Sequence, residues 1–298
     1  MITKGIFPEL PSFTEAELES CSKTGDYRPI LFEWYKYTGH VTNLVASIYL
    51  SSLAAKPVHK SHFGALIGLL NRCCRLMMAN VTLSYQGLFG ETTALIDRCI
   101  FESAVKVLWF CKQDSEEVFA RFFAEGLKTE IALKAEIQKK IDARGGETLQ
   151  IEARMLKSIA RKLATSGMSD SEIVASKKLP DLSSMINNLG EEHLIYVVGQ
   201  KIGSHHVHGT WPSLLLHYLD WDDNDGTFRP RDHNCSTHID QYVFVSLIVL
   251  SATKAFCTWL MNTQEAEHLV DMLQSIEDGI FEVTKSFIGS DFSAAEEL

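Results

Sequence analysis

Apolar residues recur every three to four positions along most of this chain, the pattern of helices that each bury one face. Leu31, Trp34, Tyr35, Val41, Leu44, Val45 and Ile48 predict a helix from Ile30 to Leu53. Lys56-Pro57 ends it, because proline disfavours a helical residue before it. Phe63, Leu66, Ile67, Leu70, Leu76 and Met77 predict a second over Ser61–Tyr85, and Leu95, Cys99, Ala104, Val105, Leu108 and Trp109 a third over Glu91–Cys111. A more charged pair follows, Glu116–Ala143 and Leu149–Ala164, broken by Gly145-Gly146. Thr14 with Glu17, and Ser169 with Glu172, have the spacing of capping boxes and open two short helices. A weak helix over Asp181–Leu189 and another over Glu191–His206 lead to two long ones, Thr237–Met261 and Glu265–Phe287. Asp220–Asn234 reads as one long polar loop. Alternation with period two is nowhere sustained, so no sheet is expected.

The fold class is therefore all-α, a multi-helix bundle. The expected organisation is a single helical domain over 1–298. Its core spans about 28–112 and 181–288, and a charged helical hairpin over about 116–164 projects from it. Composition agrees: 298 residues with 46% hydrophobic and 22% charged fill a large core, and 18 Gly with 7 Pro are few for a many-stranded architecture.

Charge modifies this picture. The net charge of -10 opposes a global grip on nucleic acid. Nine acids against one base between Thr263 and Leu298 account for most of it, whereas Lys128–Lys162 carries nine bases against five acids. The seven cysteines are odd in number, form no C-x-x-C and mostly sit in apolar helical surroundings. Met1–Ser12 lacks the basic and apolar regions of a signal peptide, which predicts a cytoplasmic protein. Tyr242–Met261 has the length of a membrane span, but Lys254, Ser246, Ser251 and Thr253 dilute it, so a buried core helix is expected and no membrane contact.

Two places concentrate chemistry. In Gly203-Ser204-His205-His206-Val207-His208, helical phase puts Ser204 and His208 on one face, with His206 pointing elsewhere. In Asp97-Arg98 with Glu102, charges interrupt an apolar helix, where they are usually paired. A histidine beside a hydroxyl can act as a general base, and an arginine can hold a phosphate. The same residues also serve as structural pairs. His205, His208, His233, His238 and Cys235 are potential metal ligands, but no H-E-x-x-H occurs, and neither a metal nor another cofactor is expected. The acidic loop Asp220–Gly226 lacks the first ligand of a calcium loop, since Trp221 occupies that position. P-loop, dinucleotide and nucleophile-elbow signatures are absent.

Gly90–Phe110 (GETTALIDRCIFESAVKVLWF) and Tyr196–Tyr218 (YVVGQKIGSHHVHGTWPSLLLHY) resemble two blocks of a bacterial all-helical family of unknown function. Arg98, Glu102, Ser204, His208 and Trp211 occupy the matching positions, within a resemblance covering roughly Leu44–Met261. That family is similar to the HEPN superfamily, helical bundles that include RNA-cutting toxins and anti-phage effectors. The resemblance implies a HEPN-like core and a homodimeric, metal-independent ribonuclease of a bacterial defence or toxin system. Arg98, Glu102, Ser204 and His208 would be its catalytic residues, and RNA its partner. HEPN nucleases carry Arg, four to six residues, then His on one helix. That spacing is missing around Arg98 and His208, and Arg229 to His233 is one residue too short. The alternative is a non-catalytic helical interaction protein, with a protein partner and a structural polar cluster.

Overall fold

The computed structural model describes residues 8–85, 88–232 and 235–288. Helices dominate it. They are α1 (Glu15–Thr24), α2 (Arg28–Val45), α3 (Lys60–Tyr85), α4 (Gly90–Gln113), α5 (Glu116–Ala143), α6 (Gln150–Ser166), α7 (Asp170–Ala175) and α8 (Leu182–Leu189). There follow α9 (His193–Tyr196), a π-helical turn over Val197–Ile202, α10 (Gly203–His208) and α11 (Trp211–His217). Two strands, β1 (Leu219–Asp222) and β2 (Thr227–Pro230), precede α12 (Ile239–Leu260) and α13 (Thr263–Ile288). Both expected capping boxes form: Thr14 Oγ1 accepts from the Glu17 amide, and Ser169 Oγ from the Glu172 amide.

The chain divides into two compact units, residues 1–112 with 182–298, and residues 113–181. In the first unit α2 packs on α3, α12 and α13. The Tyr242 ring meets Tyr35 and Phe32 edge-on, with centroids 5.5 and 5.8 Å away, and Phe101 stacks on Phe244 at 5.5 Å. Among the described residues α12 is the one helix apolar and long enough to cross a membrane. Val249, Leu250, Ala252, Phe256, Cys257 and Leu260 are all at 0% exposure. Lys254 is drawn to Glu277 on α13, Nζ to Oε2 2.5 Å, so the charge that interrupts the apolar run is neutralised where the two helices meet. Burial on one side and an ion pair on the other make α12 a core helix.

The second unit closes its own small core. Ala124, Ile137, Ile141, Ile159, Leu163 and Ile173 bury together, with α6 and α7 both against α5. Gly145 and Gly146 turn the chain at φ 70° and 93°, a conformation that costs other L-residues energy. Lys128 Nζ donates to the Ser176 carbonyl and the Leu179 amide to Glu125 Oε2, which hold the segment after α7 to α5.

Two local expectations change. The polar loop contains an antiparallel ribbon, with Leu219 opposite Pro230 and Asp222 opposite Thr227. Four-residue strands are too short to display alternation, and the pairing is held by the Trp221–Phe228 cross-strand contact and by Arg229 reaching Asp222 and Asp225. The helix expected to run unbroken to His206 contains the π-turn, whose wider backbone spacing resets the phase of the residues beyond it. His233, Asp291, Glu296 and Glu297 lie outside the described residues.

Candidate functional site

The first unit holds a half-open cavity of about 470 Å³ between α4, the π-turn with α10, the end of α11, and the segment leading into α12. Glycines set its walls. A side chain at Gly199 would meet the buried Phe101 ring at 2.5 Å, and one at Gly203 would meet Arg98 Cβ at 3.0 Å. This Gly-x-x-x-Gly face therefore lets the helical segment lie directly on α4, with His206 three residues further along the same face. At the other end, the Gly90 amide donates to the Cys235 carbonyl (2.7 Å), and the absence of a side chain at Gly90 admits the Ser236 backbone.

The polar lining is unusual in what it leaves unmade. Asp97 Oδ2, Arg98 Nε and both ring nitrogens of His217 are sealed from solvent and have no hydrogen-bond partner among the described residues. All three side chains border the cavity. A buried polar group without a partner costs roughly 1–3 kcal/mol, so three such side chains at one cavity call for an explanation. Asp97 Oδ1 accepts from Asn80 Nδ2 at 2.6 Å, and the same amide donates to Tyr35 Oη at 3.2 Å. Burial pushes the Asp97 carboxyl well above the ordinary carboxylate range, against the opposing effect of that bond. It also pushes the Tyr35 phenol up, with the nearby Asp97 adding to it.

His206 joins the cavity, its Nδ1 3.2 Å from Ser213 Oγ and its ring 4.8 Å from that of His217. Burial holds both imidazoles below their usual value; His217 and His205 lower His206 further. Arg231 acts as a buckle at the cavity floor. It donates to Asp220 Oδ1 (3.0 Å), to the Leu216 and Leu219 carbonyls (2.6 and 3.1 Å) and to Cys235 Sγ (3.3 Å).

Of the four residues expected from the sequence, Arg98 borders the cavity and the others do not. Glu102 pairs with Lys106 at 2.7 Å; burial opposes its ionisation, but Lys106, Arg98 and Arg72 outweigh that and hold the carboxyl low. Ser204 donates to the Gln200 carbonyl within its own helical segment (2.8 Å). His208 is exposed. The reason is phase: α10 lays Gly203 on α4 and turns His206 into the cavity beside Ser213 and His217, which leaves Ser204 and His208 off the cavity. His206, expected to lie off the face shared by Ser204 and His208, does so and lines the cavity.

The other metal-ligand candidates are dispersed too. His205 bonds Thr210 Oγ1 at 2.7 Å, and His238 caps α12 through the Asp240 amide. Cys235 alone falls into a ligand cluster, with Glu91 and His217, their donor atoms all within 4.8 Å of one another. Sequence spacing could not reveal that cluster, because its members come from the start of α4, the end of α11 and the loop before α12.

No curated protein and no solved structure matches the chain. A family model matches residues 63–227, more than half of its length and including Asp97, Arg98, His206 and His217. On that match the chain belongs to the family of unknown function DUF5677.

Proposed function

We propose that the first unit binds a compact phosphate-bearing ligand in this cavity and moves protons on it, with RNA as the substrate. The observation that carries the reading is the convergence of unpartnered polar atoms of Asp97, Arg98 and His217 on one cavity. The volume lies in the range of small-ligand sites, so a polymer enters as one unpaired nucleotide. Arg98 is the cation for a phosphate oxygen. Asp97, held protonated by burial, is the acid. His206 is the base that takes the 2′-hydroxyl proton. The 2′-oxygen then attacks phosphorus, and the 5′-oxygen leaves with the proton of Asp97, giving a cyclic phosphate and a free 5′-hydroxyl. No step needs a cofactor. In the second unit Lys139, Arg154, Lys157 and Arg161 are exposed bases with no ion pair among the described residues, suited to a nucleic-acid backbone. This reading retains the HEPN-like core, the homodimer and the cytoplasmic defence or toxin role as its biological form, and replaces His208 by His206 in the chemistry.

The test is cleavage of total RNA in EDTA by the whole chain and by Asp97→Asn, Arg98→Ala, His206→Ala and His208→Ala, each with folding checked by circular dichroism. Wild type and His208→Ala cut; the other three lose about 10²–10⁴-fold, the usual weight of an acid–base group. An inactive wild type, or equal cutting by all folded variants, refutes it.

A second reading, a non-catalytic interaction protein, draws on a different observation. Glu102 and Ser204 are satisfied within their own helices, while Trp211, Trp221 and Phe228 form an exposed aromatic cluster. Exposed apolar clusters mark contact surfaces. Under this reading, Trp221→Ser abolishes self-association or partner capture measured by analytical ultracentrifugation, and unchanged sedimentation rejects it.

A further inference from the structure

We propose that Glu91, His217 and Cys235 form a binding site for a borderline-soft divalent metal ion, Zn²⁺ in chemical class, at one end of the cavity. One carboxylate oxygen, one imidazole nitrogen and one thiol sulfur lie within 4.8 Å of one another, each partly buried. Three protein ligands of this mixed type are the set of a zinc site that keeps its fourth position open.

Two further observations point to an ion. Both His217 nitrogens are sealed from solvent and unpartnered among the described residues, an arrangement that an imidazole on a helix end gains nothing from unless one nitrogen has a ligand. The carboxylate is already aimed: Glu91 Oε2 accepts from the Cys235 amide at 3.2 Å, which fixes the group and leaves its other oxygen for the metal. Such orienting bonds support ligands in metal sites generally. Arg231 adds a positive charge beside Cys235, but Asp220 engages its guanidinium at 2.9 Å and offsets it. Since His217 and Cys235 also line the cavity, the open position faces the same space as Asp97 and Arg98.

The metal would share His217 and the cavity with the proton chemistry proposed above, but its test reads binding alone. The metal-free whole chain is titrated with Co²⁺, then with Zn²⁺ as competitor. Wild type develops a near-ultraviolet thiolate-to-cobalt band and visible bands of a four-coordinate ion at one equivalent, and Zn²⁺ erases both. Cys235→Ser loses the thiolate band, and His217→Gln and Glu91→Gln weaken binding at least about tenfold, the lower end of what even an outer-shell change costs. Cys99→Ser, a partly exposed cysteine outside the cluster, binds as wild type. Zinc-edge absorption on the wild type, which needs no variant to fold, shows one sulfur scatterer. Absence of the thiolate band, its survival in Cys235→Ser, or a shell of nitrogen and oxygen alone overturns the proposal. RNA cleavage in EDTA is unaffected by any of these results, so the two readings fail separately.

Discussion

Replacing Asp97 by Asn should change the pH dependence of stability in a defined direction. In the fold, burial holds the Asp97 carboxyl protonated well above its ordinary value of 3.8, while in the unfolded chain it ionises at that ordinary value. Between those two values the native state carries one more proton than the unfolded state. Stability therefore falls as pH rises through this window, by about 1.4 kcal/mol per pH unit. The full contribution is present below the unfolded value and is lost as pH climbs toward the folded one. Asn has the same shape, still offers an oxygen to Asn80 Nδ2, and has no proton to lose. The variant thus gains on wild type as pH rises through the window, at the same rate, against a total of roughly 5–15 kcal/mol. Urea unfolding read by tryptophan fluorescence isolates the effect, because all five tryptophans (Trp34, Trp109, Trp211, Trp221 and Trp259) belong to the first unit. Other titrating groups cancel in the difference between the two proteins. Parallel curves would mean that Asp97 ionises in the fold as it does in water, and would remove it as the acid. A gap of opposite sign would mean that it is paired as a carboxylate.

Glycine substitutions should separate close packing from helix propensity. Gly199→Ala drives a methyl into the Phe101 ring and should cost about 1–2 kcal/mol net, overpacking less the propensity gained. Gly68→Ala on α3 meets nothing within 4 Å and should gain about 0.4–1 kcal/mol. Equal midpoints in urea for the two variants would contradict the close approach of the π-turn to α4. Cys73 and Cys257, whose thiols burial pushes up to about 12, should resist a thiol reagent at neutral pH until the protein unfolds. Mass spectrometry of the labelled native protein decides this, and early modification of either residue would disprove it.

Much of this architecture is readable from periodicity because the long helices obey it. Ser115 caps α5 and Arg144 closes it, at the ends that the charged pattern and Gly145-Gly146 predict. Periodicity is blind where a structure departs from 3.6 residues per turn, and so it missed the π-turn; nor could it show that His206, rather than His208, lines the cavity. A better signal was present: Gly199 and Gly203, four apart in an otherwise helical run, mark the face that lies against another helix. Arg98 could be found in the sequence because a charge amid apolar neighbours demands an explanation. Glu91, His217 and Cys235 could not, because each is unremarkable locally and only tertiary folding unites them.

The division of the first unit into two chain segments has a consequence for synthesis. Thr42 and Thr253, which touch in the core at 3.4 Å, are 211 residues apart in the chain. Helices α2 to α4 leave the ribosome long before α12 and α13 exist to cover them. The inserted segment 113–181 carries its own core and can fold in the interval. Domains complete in this way during translation, and exposed apolar surface in the waiting half is what aggregates or engages chaperones. The face of α4 that carries Phe101 is covered in part by the π-turn and completed only when Phe244 arrives, so the cavity is among the last features of the molecule to be assembled.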